Sequence, residues 1–289
     1  MKHFVKPALT LDQQINLLKT RRLAIPDMGR ARRYLQYISY YRLAAYGRPY
    51  HISGEEDHIF QPGVTFDDVL DLYIFDRKLR LHILDAIERI EVAVRAVLNN
   101  HMSLEYSQYW HLDKTLFSSK FDHSAFIELL TAHTRNGQHP FCKAYHAKYS
   151  YPTLPPSWMV SEILDFGKLS KVLASLAHAK DKKAIASAFN TSYSILESWL
   201  WSLTILRNTC AHHGLVWNRI FTHSPKFEAE FSVPSLHHFY ARAIVIWQFL
   251  KVITKNSQWL HGLKQLLIIC PRPMSEMGFP DGWQLSYGW

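Results

Sequence analysis

The feature that most constrains the fold is a long run of apolar residues at helical spacing. The run follows Thr65-x-x-Asp68, a pattern typical of a helix start, and continues to about His101. Its apolar members are Leu72, Phe75, Leu79, Ile83, Ile87, Ile90, Val94 and Val97. A stripe of this length needs other helices to cover it, because an amphipathic helix is stabilised mainly by burial of its apolar face. The pattern therefore predicts a long central helix.

Helical signals recur along the rest of the chain. A capping box at Thr10 and Gln13 opens a first helix, and a second box at Ser194 and Glu197 opens the helix that leads into Arg207. No segment has the alternating pattern of a β-rich region, and glycine is scarce, with 11 residues in 289. We therefore predict an all-α helical bundle with additional N- and C-terminal elements.

The segments divide into three parts of one domain. We predict a single domain over residues 1–289, with an N-terminal helical and loop subregion over 1–63, a helical core over 64–270 and an extended tail over 271–289. Within the core, we expect Gly167 to separate two helices, because glycine disfavours a helix interior.

The charge balance favours an anionic partner. Lysine and arginine total 33 against 24 aspartate and glutamate, a formal net charge of +9, and aromatic residues make up 14% of the chain. A basic, aromatic-rich surface suits a polyanion, and RNA is the first candidate. A basic protein that is merely soluble has the same totals, so charge alone leaves both explanations open.

The sequence gives no sign of export or of a membrane. The three cysteines are far apart and form no disulfide framework, and the N-terminus has no apolar signal core. The most apolar helix candidate, residues 243–253, is too short to cross a bilayer. We therefore expect a cytoplasmic protein without a membrane partner.

The densest group of chemically capable residues is R-N-x-x-x-H-H, formed by Arg207, Asn208, His212 and His213. A guanidinium binds phosphate in a bidentate way, and an imidazole transfers protons near neutral pH. On a straight helix, residues five apart point roughly 140° from one another. Arg207 and His212 therefore converge only if the helix ends near Gly214 and turns His212, or if a two-fold dimer brings two motifs together. The alternative is that Arg207 caps a helix end and His212 belongs to a polar network, so that both have only structural roles.

Two other groups are candidates for RNA contact. Tyr41 and Arg42 belong to a basic, tyrosine-rich segment, in which arginine could contact phosphate and tyrosine could stack on bases. We expect most of its tyrosines to lie in the core, and we leave open whether its arginines contact RNA or only solvent. Glu88, Glu91 and Arg95 lie along one side of the long helix, either as a solvated stripe or as a buried network with Arg207 or the histidines.

Metal and cofactor chemistry receive little support. Cys210, His212 and His213 supply three zinc donors in four residues, but no matching pair lies near them in sequence. Phosphate-binding glycine loops and the G-x-S-x-G elbow are absent from the sequence. We predict no metal site and no cofactor.

The segment RNTCAHHGLVWNR, residues 207–219, resembles the R-N-x-x-A-H-H-x-x-x-W-N-R signature of the Abi-like proteins, the AbiD/AbiF type of abortive-infection protein in the HEPN superfamily. Other blocks resemble this family in the same order along the chain. They are Ile38–Leu43 with Tyr46, Tyr73–Arg80, Ile87–Glu91 with Arg95, Ser161–Ser170, and Met277–Pro280 with Trp283.

The resemblance implies an α-helical HEPN core and a metal-independent ribonuclease used in phage defence. Family members join two motifs in one composite site, and this chain has one motif, so the resemblance implies a homodimer. It assigns catalysis to Arg207, Asn208 and His212, with His213, Asn218 and Arg219 as supporting or RNA-binding candidates.

The resemblance also implies a second RNA partner, because some members of this group associate with a small noncoding RNA. Two alternatives stay open at this point. One is a non-catalytic RNA-binding protein on the same scaffold, and the other is a helical partner protein without nucleic acid.

Overall fold

The structure is a computed structural model of the chain, and it describes residues 3, 7–135, 139–229, 231 and 233–285. The α-helices in these residues are α1 (Leu11–Thr20), α2 (Met28–Ile38), α3 (Tyr40–Gly47), α4 (Phe66–Glu105), α5 (His123–Arg135), α6 (Pro140–Lys148), α7 (Ser157–Val160), α8 (Phe166–Ala174), α9 (Ala179–Ser187), α10 (Tyr193–Ala211), α11 (Phe239–Ile253) and α12 (Trp259–Ile268). Within the described ranges, short 3-10 turns and isolated β-bridges complete the secondary structure, and no β-sheet forms. The all-α prediction is confirmed.

The chain forms two compact units. Unit 1 comprises Met1–Arg80 with Leu263–Met274, and unit 2 comprises Leu81–Gly262 with Ser275–Trp289. The long helix α4 contributes its first part to unit 1 and the remainder to unit 2.

Helix starts in unit 1 follow the predicted capping pairs. At α1, the Gln13 backbone N–H donates to Thr10 Oγ1 (3.3 Å) and the Thr10 N–H donates to Gln13 Oε1 (2.8 Å). At α4, Thr65 and Asp68 make the same reciprocal pair, at 2.7 and 3.2 Å. Each pair satisfies backbone donors that the first helical turn leaves open. The predicted long helix is confirmed, and its 40 residues run to Glu105.

A buried polar cluster fixes α3 against α4 inside unit 1. The Tyr46 hydroxyl donates to Asp76 Oδ2 at 2.7 Å and accepts from Arg80 Nη1 at 3.0 Å, and Arg80 also pairs with Asp76. Burial, reinforced by the Asp76 carboxylate, raises the pKa of Tyr46. The expectation that the tyrosines of this segment lie in the core holds for Tyr46 but is wrong for Tyr37 and Tyr41, which are exposed.

The core of unit 2 is built around α10 and α11. Helix α10 packs against α8, α9 and α11. Leu196, Leu200 and Leu203 of α10 are completely buried, and ten of the fifteen residues of α11 are buried. The helix that carries the R-N-x-x-x-H-H motif is therefore anchored in the most apolar part of this unit, which holds the helix end in a fixed position.

Gly167 does not separate two helices as predicted. The Asp165 side chain accepts from the Lys168 N–H at 2.9 Å, so α8 begins at Phe166 and contains Gly167. A Cβ at Gly167 would lie 3.2 Å from Thr204 Cγ2, so this glycine allows close packing on α10. The segment before it is a single turn, α7, followed by a 3-10 turn.

Two further local predictions are wrong. Helix α10 begins at Tyr193, and no side-chain cap forms at its start, so Ser194 lies inside the helix. The tail is not extended throughout, because 3-10 turns form at Met274–Met277 and Trp283–Leu285. Residues 286–289 of the predicted tail lie outside the described residues.

Candidate active site at the end of helix α10

Arg207 and Asn208 lie in the last turn and a half of α10. The neighbouring Leu206 and Cys210 are buried, which turns Arg207 towards partial exposure and Asn208 towards solvent. Arg207 Nη1 lies 3.4 Å from Asn208 Oδ1, within hydrogen-bonding distance. The amide of Asn208 therefore helps to orient the guanidinium.

The helix ends between Arg207 and His212. Ala211 is its last residue and His212 is the C-cap, with its N–H donating to the Asn208 carbonyl at 3.0 Å. Because His212 follows the last helical residue, its direction is no longer set by helical rotation from Arg207 alone. Both histidine side chains are exposed. No hydrogen bond joins the side chains of Arg207 and His212, both of which are described.

The chain reverses direction at His213 rather than at the predicted Gly214. His213 has a φ of 57°, in the left-handed region that favours glycine, and its N–H donates to the Cys210 carbonyl at 3.0 Å. The Gly214 N–H donates to the Thr209 carbonyl at 2.7 Å. These two bonds form a Schellman ending. A left-handed backbone costs a non-glycine residue about 1 kcal/mol, and such strain is common at functional sites.

Gly214 is required at this ending for a different reason. A Cβ at Gly214 would lie 3.1 Å from both the carbonyl oxygen and Cγ2 of Thr209. The same Cβ would lie 3.8 Å from Arg219 Nη1, so the Arg219 guanidinium folds back towards the helix end that carries the two histidines. Arg219 and Asn218 are both exposed, and the buried Trp217 anchors the loop between them and the helix.

Arg207 opens into a cleft of about 570 Å³ in unit 2. The lining residues are Leu84, Asp85, Ile87, Glu88, Glu91, Val92, Arg95 and Arg207. The structure thus places Glu88, Glu91 and Arg95 in one cleft with Arg207. Asp85 pairs with Arg89, and Glu91 pairs with Arg95 at 2.8 Å, whereas Glu88 is exposed. The acidic lining means that Arg207 has nearby negative charge to overcome before it can bind a phosphate.

Arg95 has a structural position in this cleft. Its side chain is buried, its Nε donates to the Ser161 carbonyl at 3.0 Å, and its Nη2 donates to the Leu164 carbonyl at 3.1 Å. Glu88, Glu91 and Arg95 were predicted to form either a solvated stripe or a buried network. Glu91 and Arg95 belong to a largely buried network, whereas Glu88 is exposed. The partner is the segment before α8, however, rather than Arg207 or a histidine.

Asp165 lies within electrostatic reach of Arg207, although it is not part of the sequence motif. Burial opposes ionisation of this carboxyl group, but hydrogen bonds from Lys168 and the nearby positive charge of Arg207 lower its pKa below the ordinary value. Asp165 is therefore a carboxylate close to the Arg207 guanidinium. The signal that could have found it was the Ser161–Ser170 block of the family resemblance.

The other residues predicted to bind RNA or zinc do not line this cleft. Tyr41 and Arg42 belong to α3 of unit 1, where Tyr41 is exposed and the Arg42 N–H donates to Ser39 Oγ at 3.4 Å. Of the three zinc donors considered, Cys210 is buried while His212 and His213 are exposed. Among the described residues, no group of three or more histidine, cysteine, aspartate or glutamate residues is arranged to hold a metal.

Fold and site together define an all-α protein with a polar R-N-x-x-x-H-H motif at an exposed helix end. The chain belongs to the Abi-like protein family, which matches residues 33–218 and therefore includes the motif. Comparisons with curated proteins and with solved structures give no match. Family membership suggests a role in abortive-infection defence. None of the described helices combines the length and apolarity needed to span a bilayer.

Proposed function

We propose that this protein is a metal-independent endoribonuclease of the HEPN type that acts in the cytoplasm during abortive-infection defence. The observation that carries the proposal is the ending of α10 between Asn208 and His212. It leaves Arg207 at an open cleft and both imidazoles of the motif in solvent. Membership in the Abi-like family and the net charge of +9 support the same function.

The motif supplies the groups that RNA cleavage needs. Arg207 holds the scissile phosphate and stabilises the negative charge that develops on it, while Asn208 orients the guanidinium. His212 takes the proton from the ribose 2′-hydroxyl. The 2′-oxygen then attacks phosphorus and the bond from phosphorus to the 5′-oxygen breaks, with a proton delivered to the leaving oxygen. The products are a 2′,3′-cyclic phosphate and a free 5′-hydroxyl.

The single motif in each chain favours a site composed from two chains. Asp85, Glu88 and Glu91 line the cleft with Arg207, and Arg95 is committed to backbone carbonyls, so Arg207 is the guanidinium that one copy offers to a phosphate at this cleft. A second copy related by a two-fold axis adds another Arg207 and another His212. We therefore propose a homodimer as the active form, with a small noncoding RNA as a regulatory partner.

The central test is cleavage of labelled RNA in the presence of EDTA, analysed on a denaturing gel. Arg207→Ala and His212→Ala should each lower the cleavage rate by about 100-fold or more. Arg135→Ala and His261→Ala are matched controls, since both side chains are exposed and neither lies in the motif. The product should end in a cyclic phosphate, and a DNA strand of the same sequence should stay intact.

Other outcomes identify the alternatives. Cleavage that persists in both motif variants, or that stops when EDTA is added, contradicts the proposed chemistry. Intact RNA that still shifts on a native gel favours a non-catalytic RNA-binding protein. Absence of any shift at low salt favours a helical partner protein that does not bind nucleic acid, because phosphate contacts are strongest at low salt.

A further inference from the structure

A second open groove, of about 800 Å³, lies on helix α2 in unit 1. Its lining includes Arg30, Arg33, Tyr34, Tyr37 and Ile38. These residues recur at i, i+3, i+4, i+7 and i+8, the spacing of one face of a helix. One side of α2 therefore presents two guanidinium groups interleaved with two phenol rings.

The tyrosines at this groove do not belong to the core. Helix α2 contributes Ala31 and Leu35 to the core, and both are almost completely buried. Tyr37 keeps 77% of its surface exposed, and Tyr41, the second residue of α3, keeps 90%. An exposed phenol ring offers a flat face on which a base can stack.

One of the two cations at the groove, Arg30, is held in place beside a tyrosine ring. Arg30 Nε pairs with Asp67 Oδ1 at 2.8 Å, and the Arg30 guanidinium lies 5.6 Å from the centre of the Tyr34 ring. The Arg30 side chain nevertheless stays 44% exposed. Arg33 is exposed and makes no ion pair with any residue that the structure describes, so its charge is available to a phosphate.

The corner between α2 and α3 is strained. Ser39 has a φ of 75° and a ψ of 146°, a combination that glycine adopts far more readily than serine. Two hydrogen bonds hold it there: its N–H donates to the Leu35 carbonyl at 3.2 Å, and its Oγ accepts from the Arg42 N–H at 3.4 Å. The strained corner fixes the directions of the helices that carry Tyr37 and Tyr41, as is common in segments that clamp a ligand.

We propose that the α2 groove, with Arg30, Arg33, Tyr34, Tyr37 and the adjacent Tyr41, is a binding platform for single-stranded RNA. The guanidinium groups contact phosphates and the tyrosine rings stack on unpaired bases. The platform deepens the proposed function, on which it rests for the identity of its ligand as RNA. It is a binding site in unit 1 and takes no part in the chemistry at Arg207.

The test is fluorescence anisotropy with a labelled oligouridine of about 12 nucleotides, a length within the site sizes known for single strands. The full-length His212→Ala protein serves as the parent, so that cleavage does not alter the probe. Adding Tyr37→Ala and Tyr41→Ala should weaken binding by roughly tenfold or more, because each stacked base contributes measurably to affinity. Tyr151→Ala, at an exposed tyrosine of unit 2, should leave binding unchanged.

Two more measurements separate stacking from charge. Tyr37→Phe with Tyr41→Phe keeps both rings and should bind like the parent. Arg33→Gln should reduce the slope of log affinity against log salt by about 0.7, the value for one phosphate contact on a single strand. A blunt RNA duplex should compete poorly, since its bases are not free to stack.

The platform is refuted if the alanine pair binds as tightly as the parent, if the phenylalanine pair loses as much affinity as the alanine pair, or if the duplex competes as well as the single strand. The two proposals fail separately. Tyrosine-dependent binding without cleavage by the wild-type chain refutes the nuclease alone. Cleavage with tyrosine-independent binding refutes the platform alone.

Discussion

Arg95 offers the sharpest test of how the cleft is held together, because its side chain is only 10% exposed and has four partners. Replacement with methionine keeps most of the side-chain volume and removes the guanidinium. The Ser161 and Leu164 carbonyls then lose their charged donor. Glu91, whose side chain is only 17% exposed, loses its ion-pair partner.

The expected cost follows from these losses. Each buried carbonyl left without a donor costs about 1 kcal/mol or more, and breaking a buried ion pair on one side costs about 3–5 kcal/mol. Since the pair is not completely buried, we expect Arg95→Met to lower the free energy of unfolding by about 4 kcal/mol. Glu91→Gln in the same chain removes the unpaired charge and should recover about 1–2 kcal/mol of that loss.

Helix α4 provides a matched control with the same spacing. Arg89 pairs with Asp85 at i and i+4, as Arg95 does with Glu91, but the Arg89 and Asp85 side chains are 35% and 55% exposed. Arg89→Met should therefore cost less than about 1 kcal/mol. Urea unfolding followed by circular dichroism measures all three variants. If Arg95→Met costs no more than Arg89→Met, the buried network does not support the segment before α8.

Two further perturbations test other parts of the structure. His111 is almost completely buried, and burial, with a smaller repulsion from His123, lowers its pKa from 6.5 to about 4. Between pH 6.5 and about 4, this histidine is protonated in the unfolded chain but stays neutral in the folded chain. The free energy of unfolding should therefore be highest above pH 6.5 and should decline by up to about 3 kcal/mol as pH falls across this window. The loss of melting temperature between pH 7.5 and pH 5 should be smaller in His111→Leu than in the wild type, and an equal loss in both would contradict the assignment. Gly214→Ala should lower the free energy of unfolding by about 1–3 kcal/mol, because the added Cβ would press on Thr209. The same change should lower RNA cleavage by displacing the helix end. A variant with unchanged melting temperature and unchanged cleavage would contradict this reasoning.

Local sequence rules predicted the fold class and several helix starts, because these depend on neighbouring residues. Thr65 with Asp68 marks the beginning of α4, and the apolar stripe that follows marks its length. The rules did not work at the start of α10, where Glu197 has a competing partner one helical turn away. Glu197 does not close a capping box with Ser194 but forms a hydrogen bond with the Tyr193 hydroxyl. Tyr193 is partly buried, and burial together with the Glu197 carboxylate raises its pKa.

Gly167 shows the same limit for helix ends. Its residue type predicts a break, but its position opposite Thr204 requires a residue without a side chain so that α8 can pack closely on α10. A local pattern does not distinguish a glycine that ends a helix from one that lets two helices approach. The cap at Asp165, two residues before Gly167, decides the helix start.

The motif was visible in the sequence, but its surroundings were not. The spacing of Arg207 and His212 indicated that a straight helix would separate them, and a helix end near Gly214 was one of the two predicted solutions; the helix in fact ends earlier, at Ala211. The cleft contributed by α4 and the carboxylate of Asp165 depend on packing between segments far apart in sequence. Such contacts cannot be derived from periodicity, which reports only which face of a helix is buried.

Two of the six described non-glycine residues with positive φ lie beside the proposed sites. His213 and Ser39 adopt positive φ values where glycine would be less strained, and neither is the residue that local rules would choose. His213 follows the exposed end of the proposed catalytic helix, and Ser39 joins the helices of the proposed RNA platform. Backbone strain of this kind persists when surrounding contacts hold the residue in its conformation. It is common where that conformation orients segments that bind or react with a ligand. Positive φ does not mark a site by itself, since Arg22, His58, Asn190 and Asn256 also adopt it. At His213 and Ser39, however, it sets the directions of the segments that carry the proposed chemistry.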